Sequence, residues 1–376
     1  MARQTSINWT GSLFLILSPI AALILGVYHI RTEGFLWESW ALAAVFYALT
    51  AVSITGGYHR CFSHKTYEAK TALKWFWALF GAAAFQNSIL IWARDHRVHY
   101  RLVDTDTDPY SINRGFFFAH LGWMLVNETP RVKLEPYGRD LERDPVVAFQ
   151  DKHYVIIAVL MGFALPTLLG WAMGSWMGGL AIAGFVRIVA LHHMTFFINS
   201  ACHCIGKQRY TDTNTARDSF LMAIATFGEG YHNFHHFFAN DYRNGIRWYH
   251  WDPTKWAIRA LSSVGLAHSL RRTPWSEIVR AQMLMDEKRV RMHLNEDWSQ
   301  QIQEKLDGLK ARVEAAHVQF EKLKEEYRQI AKNYAHSSMT RLQEMKLQMR
   351  LARIEFRAAL KQWRLYNAFL LELAPA

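Results

Sequence analysis

The sequence is poor in cysteine, with three in 376 residues: Cys61, Cys202 and Cys204. Three thiols cannot build a disulfide framework or a four-thiolate metal site, and Cys202-x-Cys204 lacks the spacing of a redox pair. They read as small buried residues. Acidic charge is also short. Lys and Arg total 43 against 32 Asp and Glu, a net charge of +11, and such an excess points either to nucleic acid or to an anionic membrane surface. The one run of spaced acids, Asp104-Thr-Asp106-Thr-Asp108, has neither the central glycine nor the terminal glutamate of a calcium loop.

What the chain does have is apolar runs. Residues 13–30, 40–57, 154–173 and 176–192 each approach the ~20 residues that cross a bilayer. The first lacks a strongly basic start and a small-residue cleavage site, so it reads as an anchor. Four spans put both termini on one side. Arg and Lys concentrate in residues 58–152 and beyond Gly206, which by the positive-inside rule makes these segments and the termini cytoplasmic. Topology then accounts for the positive charge, and nucleic acid is not expected as a partner. Residues 73–91 are almost long enough to span. Crossing there would separate histidines onto opposite faces, so this run is expected to pack on the bundle or lie in the interface.

Eight of the 18 histidines fall in four tight groups, each at the cytoplasmic end of an apolar segment. They are His59 and His64, His96 and His99, His203, and His232 with His235 and His236. Residues three and four apart share a helix face, so such imidazoles can converge. Imidazole suits iron, zinc, copper or nickel. Eight nitrogens exceed the needs of one ion, and two metals held between facing helices is the economical reading. His59 and His64, five apart, do not share an ideal helical face and are expected where a helix frays into a loop. His29, His153, His250, His268, His293, His317 and His336 stand alone and read as surface or interface residues. His120, His192 and His193 are expected to pack or hydrogen-bond.

The segments HRCFSH, DHRVHY, NSACH and GEGYHNFHH, with DTDTDPYSINRGFFFAHLGW and DYRNGIRWYHWDPTKW, resemble the membrane acyl-CoA desaturase family of the stearoyl-CoA or delta-9 type over residues 40–270. The resemblance implies a four-helix transmembrane bundle with a cytoplasmic, histidine-rich di-iron cap. It implies two irons on His59, His64, His96, His99, His203, His232, His235 and His236, with Asn199 reaching a metal through water. Asn87, Arg94 and Arg187 match positions near the substrate, and the acidic run becomes a structural turn with side-chain to backbone hydrogen bonds. The reaction implied takes two hydrogens from a saturated acyl-CoA with O2 and electrons from a separate donor of ferredoxin or cytochrome b5 type. Zinc, without redox chemistry, would not serve. The sequence departs from the family in two places. Tyr100 stands where a further histidine is usual, leaving open phenolate ligation, a water in that position, a related hydroxylase, or a catalytically impaired scaffold. Asn127-Glu128 replaces a basic pair that holds CoA phosphates, with Arg131 and Lys133 following.

The tail differs from the rest, so the fold class is read as all-α with two domains, a membrane domain over 1–275 and a helical extension over 276–376. Apolar positions alternate in steps of three and four from Leu306 to Tyr334 and again from Leu342 to Leu370, the heptad pattern of coiled-coil helices. His336-Ser337-Ser338 would supply the turn of an antiparallel hairpin that closes on itself, pairs with a second copy or docks a partner; the alternative is a long amphipathic helix lying on the cap or the membrane. The tail has no HPGG haem segment, and three cysteines cannot hold an iron–sulfur cluster by the usual four thiolates.

Overall fold

The computed structural model describes residues 5–128, 133–294, 299–332 and 339–373. Arg131, Tyr334 and the expected turn at His336-Ser337-Ser338 lie outside the described residues. The chain divides into two compact units, residues 1–273 and 274–376.

The first unit holds four helices long and apolar enough to cross a membrane: Trp9–Glu33, Trp37–Ser63, Tyr154–Ala172 and Trp176–Cys204. Side-chain chemistry fixes the start of the first, where the Asn8 carboxamide accepts from the Gly11 amide, relieving one of the unpaired amides at a helix start. Pro19 lies inside that helix, as spans tolerate where neighbouring groups re-satisfy the backbone. Three of the spans contain π-wound stretches, Ser53–Ser63, Leu160–Ala164 and Gly179–Val186. The wider turn of the first carries a histidine pair into the site.

The apolar run over 73–91 is not one helix. Thr71–Ala82 ends in a turn and Ile89–Leu102 begins anew, with Phe85 and Asn87 in the left-handed region between them (φ 55° and 71°). Its apolar side chains go inward instead. Trp77 and Ile89 are fully buried in a core with Tyr58, Leu191 and Ile258. The all-α reading needs one correction: two short antiparallel sheets occur, pairing Thr5–Ile7 with Val126–Glu128 and Glu68–Ala69 with Ala267–His268.

In the second unit three helices, Trp275–Leu294, Gln300–Lys332 and Met339–Leu373, bury Val290, Leu306, Val313, Phe356 and Trp363 against one another. The first of the three was not foreseen. The other two run antiparallel, since Arg312 Nη1 donates to Gln362 Oε1 at 2.9 Å while His317 packs on Phe356. Trp363 is fully buried. Trp363→Ala should therefore cost this unit about 3–5 kcal/mol, read as faster proteolysis within 274–376.

Candidate metal centre

His59 sits in the π-wound end of the second span and His64 caps it, the His64 amide donating to the His59 carbonyl at 3.1 Å. A π turn joins residues i and i+5, so the five-residue spacing that fits no α-helical face fits this one. The rings lie 4.8 Å apart. The expected frayed end is thus corrected to an ordered π segment. His96 and His99 stand on Ile89–Leu102, whose start is capped by the Ser88 hydroxyl. His203 lies on the short helix Ala201–Cys204, and His232, His235 and His236 on His232–Phe237. Gly230 lets the chain enter that last helix, because a Cβ there would stand 2.1 Å from the Ala223 amide nitrogen.

The eight imidazoles form two groups rather than one. His59, His64, His96 and His235 make the first and His99, His203, His232 and His236 the second, ligand-capable atoms within each lying within 4.8 Å of one another. His96 and His99 part company, each going to a different group, while His232 and His236, four apart, stay together. All but His64 are buried.

Hydrogen-bond partners decide what these rings can hold. His59 Nδ1 lies 3.1 Å from Glu229 Oε2, and His99 Nδ1 lies 2.8 Å from Asp108 Oδ1. His203 Nδ1 lies 2.7 Å from Thr215 Oγ1, and that hydroxyl donates onward to Asp104 Oδ1 at 2.9 Å. A carboxylate only accepts, and a hydroxyl already donating must accept from its other neighbour. The Nδ1 atoms of His99 and His203 therefore carry the proton and their Nε2 atoms present bare lone pairs, while the Glu229 carboxylate, at ion-pair distance from His59 Nδ1 without hydrogen-bond geometry, favours the same tautomer for His59. His99 Nε2 is buried without a hydrogen-bond partner. His59 Nε2 and His235 Nε2 stand 3.0 Å apart, and His232 Nε2 stands 3.2 Å from His203 Nε2 and 3.1 Å from His236 Nε2. Lone pairs converging at these distances suit a cation between them. Burial first, then repulsion between neighbouring imidazoles, holds His64, His96, His232, His235 and His236 well below the ordinary histidine pKa. They are neutral at physiological pH, the state that metal binding needs.

Charges behind the rings are themselves fixed. Burial alone would raise Glu229, but His59 and Arg60 bring its pKa down to about 2. Arg60 donates to it at 2.8 Å and Asn244 at 2.6 Å. Burial likewise opposes ionisation of Asp108, yet His99 and the amides of Asp104 and Tyr110 hold it below the usual carboxylate range. Partners of this kind orient a ligating imidazole and fix its tautomer. Sequence reasoning missed Glu229 and Thr215, and assigned Asp104 and Asp108 only to a turn. The turn exists, Asp104 N donating to Asp108 Oδ2 at 3.0 Å, and its second oxygen serves His99. Only Asp108, nine residues after its histidine, left a local signal.

A cavity of about 830 Å³ reaches both groups, touching His59 and His96 of the first and His99 and His232 of the second. Asn87, Arg94 and Asn199 line it. Arg187 does not. Its guanidinium lies inside the fourth span and donates to the carbonyls of Ala183, Ala83 and Gly162. Tyr100 packs edge-on to His64 and stacks on His236, and its hydroxyl donates to the His236 carbonyl at 3.3 Å. Burial raises its pKa. At one end of the cavity, Glu128 forms a two-pronged ion pair with Arg114 (2.6 and 3.0 Å), while Lys133 is exposed.

The profile of the family described as Fatty acid desaturase matches residues 36–270. A probable acyl-CoA desaturase of Schizosaccharomyces pombe is 44% identical over 273 residues, covering 72% of this chain and 56% of that one. Acyl-CoA desaturase 1 of Saccharomyces cerevisiae is 44% identical over 246 residues, 65% of this chain and 48% of its own. The chain thus spans about half the length of these two fungal relatives. The stearoyl-CoA desaturase of Sus scrofa is 36% identical over 277 residues, 72% and 76% of the respective chains. Four apolar helices, converging imidazoles and a matched stretch that contains the imidazoles and three of the helices lead to one conclusion: this membrane protein belongs to the fatty acid desaturase family.

Proposed function

We propose that this protein is an O2-dependent acyl-CoA desaturase of delta-9 type, with one iron on His59, His64, His96 and His235 and a second on His99, His203, His232 and His236. The single observation that carries the reading is the pair of imidazole quartets opening onto one cavity. A methylene in mid-chain has no acidic proton, so no side-chain base can remove it and a redox group must. The iron pair, when bound, supplies O2 activation and the removal of two hydrogen atoms. O2 accepts four electrons, two with the hydrogens of the broken C–H bonds and two from the donor, and with two further protons from solution it leaves as two waters.

The chain's own residues bind, orient and exclude. Phe14, Leu15, Ile54, Phe85 and Val98 give the cavity an apolar wall, where each buried methylene contributes ~0.8 kcal/mol. Glu229, Asp108 and Thr215 hold three rings with Nε2 turned inward. Asn199, at the cavity wall, reaches a metal through water, and Asn87 and Arg94 serve the thioester end. Arg187, spent on carbonyls, acts by packing. CoA binding draws on Arg94 and Lys133, since Arg114 is engaged by Glu128. The basic segments face the cytoplasm with both termini and the metal site. Electrons come from a separate ferredoxin or cytochrome b5 type donor, steered by that basic face. The two long tail helices form a coiled-coil hairpin that is open to self-association or partner docking.

Tyr100 is assigned as a wall between the quartets rather than a ligand, because its hydroxyl donates to the His236 carbonyl and its ring packs against His64 and His236. Tyr100→Phe should leave iron content unchanged, and the ferric protein should lack visible phenolate-to-iron absorption both before and after substitution. An absorption band lost in Tyr100→Phe would make Tyr100 a ligand.

The reading as a whole is tested by expressing the chain in a host without its own desaturase and identifying new fatty acids by mass spectrometry. A monounsaturated product supports it. Hydroxylated lipid would indicate the related hydroxylase, and product only from Tyr100→His would indicate an impaired site.

A further inference from the structure

The C-terminal helix Met339–Leu373 is apolar on two separate faces. Ala352, Phe356, Ala359, Trp363 and Leu370 lie on the face that packs within the unit. At about 100° per residue, Leu347, Leu351, Ile354, Leu365 and Phe369 fall on a separate stripe roughly 135° round the helix, and each is more than half exposed. Beside this outer stripe runs a basic flank of Lys346, Arg350, Arg353, Arg357, Lys361 and Arg364, all exposed. They recur in steps of three and four and so keep to one side of the helix. Glu355, the only acid within residues 346–364, falls on the other side.

An apolar stripe edged by Lys and Arg is the pattern of a helix that lies in a membrane interface, apolar residues inserted and bases against anionic headgroups. Self-pairing suits this face less well. Antiparallel pairing of two copies through the stripe sets basic flank against basic flank, and parallel pairing offers six bases only Glu355 among the facing residues 346–364. A bilayer, in contrast, is always close. The second unit begins at Pro274, joined directly to the unit that carries four apolar helices, and such a tether keeps the effective lipid concentration high.

We propose that the outer face of Met339–Leu373 docks on an anionic phospholipid surface, with Leu347, Leu351, Ile354, Leu365 and Phe369 inserted and the six bases at the headgroups. The reading is independent of the metal site. It is tested on the full chain in proteoliposomes, with the exposed thiol Cys204 replaced by serine and a bimane probe on Ile354→Cys. Vesicles of phosphatidylcholine alone are compared with vesicles containing phosphatidylglycerol, each carrying a doxyl-lipid quencher. The expected result is quenching at least about threefold greater with phosphatidylglycerol, reversed by high salt and by combined Arg350→Glu, Arg353→Glu and Arg357→Glu. The lipid and salt comparisons need no change to the basic flank, so they stand even if the charge-reversed chain misfolds. Equal quenching in both vesicles, or an unquenched probe whose signal instead reports contact between two copies or capture of an added acidic protein, overturns the proposal.

Discussion

Glu229→Gln is expected to empty the first quartet of iron and to destabilise the membrane unit. The fully buried Glu229 carboxylate accepts an Arg60 N–H and an Asn244 N–H and stands 3.1 Å from His59 Nδ1 as its ion-pair neighbour. Glutamine offers one acceptor oxygen to these three neighbours and turns an N–H toward one of them. Arg60, itself fully buried, would keep only Asp252 as a charged partner. Breaking a buried pair by altering one member costs about 3–5 kcal/mol. His59 would no longer be held with its proton on Nδ1, and losing such a partner weakens metal binding by roughly 10- to 100-fold. Iron content and thermal unfolding of the purified protein check the two halves separately.

Thr215→Val should act on the other quartet with little effect on folding. Valine has the shape of threonine but cannot accept from His203 Nδ1 or donate to Asp104. The Thr215 amide still donates to Asp104 Oδ2 at 2.6 Å, so the loop keeps its anchor. The expected outcome is iron content near one per chain instead of two, from a roughly 10- to 100-fold loss of affinity at the second quartet. Thr215→Ser restores the hydroxyl and should restore the metal. Unchanged iron in the valine variant would make the contact purely structural.

Much of this architecture was legible because its signals are local. A span is read from some twenty consecutive residues, and the pair His232/His236 from its place on one helix, whereas the same rule wrongly joined His96 to His99 and His235 to His232, which go to different quartets. The heptads that set the tail apart begin only at Leu306, so the helix Trp275–Leu294, with which the second unit opens, left no such signal. What stayed hidden depends on contacts distant in sequence. Glu229 meets His59 across 170 residues and Thr215 meets Asp104 across 111, and no periodicity links such partners. The π winding at Ser53–Ser63 escaped because an α-helical template was applied to a five-residue spacing. An amphipathic tail helix on the membrane was among the expectations, but the residues of the outer stripe of Met339–Leu373 were not picked out, for a related reason. Once one apolar face had satisfied the heptad, the second was absorbed into the background of charged residues.

The central claim is that eight imidazoles hold two irons side by side on one chain. X-ray absorption at the iron edge, with metal analysis of the purified full-length protein, tests it most directly. The account predicts about two irons per chain, each surrounded chiefly by imidazole nitrogen. One iron or none, tightly held zinc instead, or sulfur neighbours would contradict it.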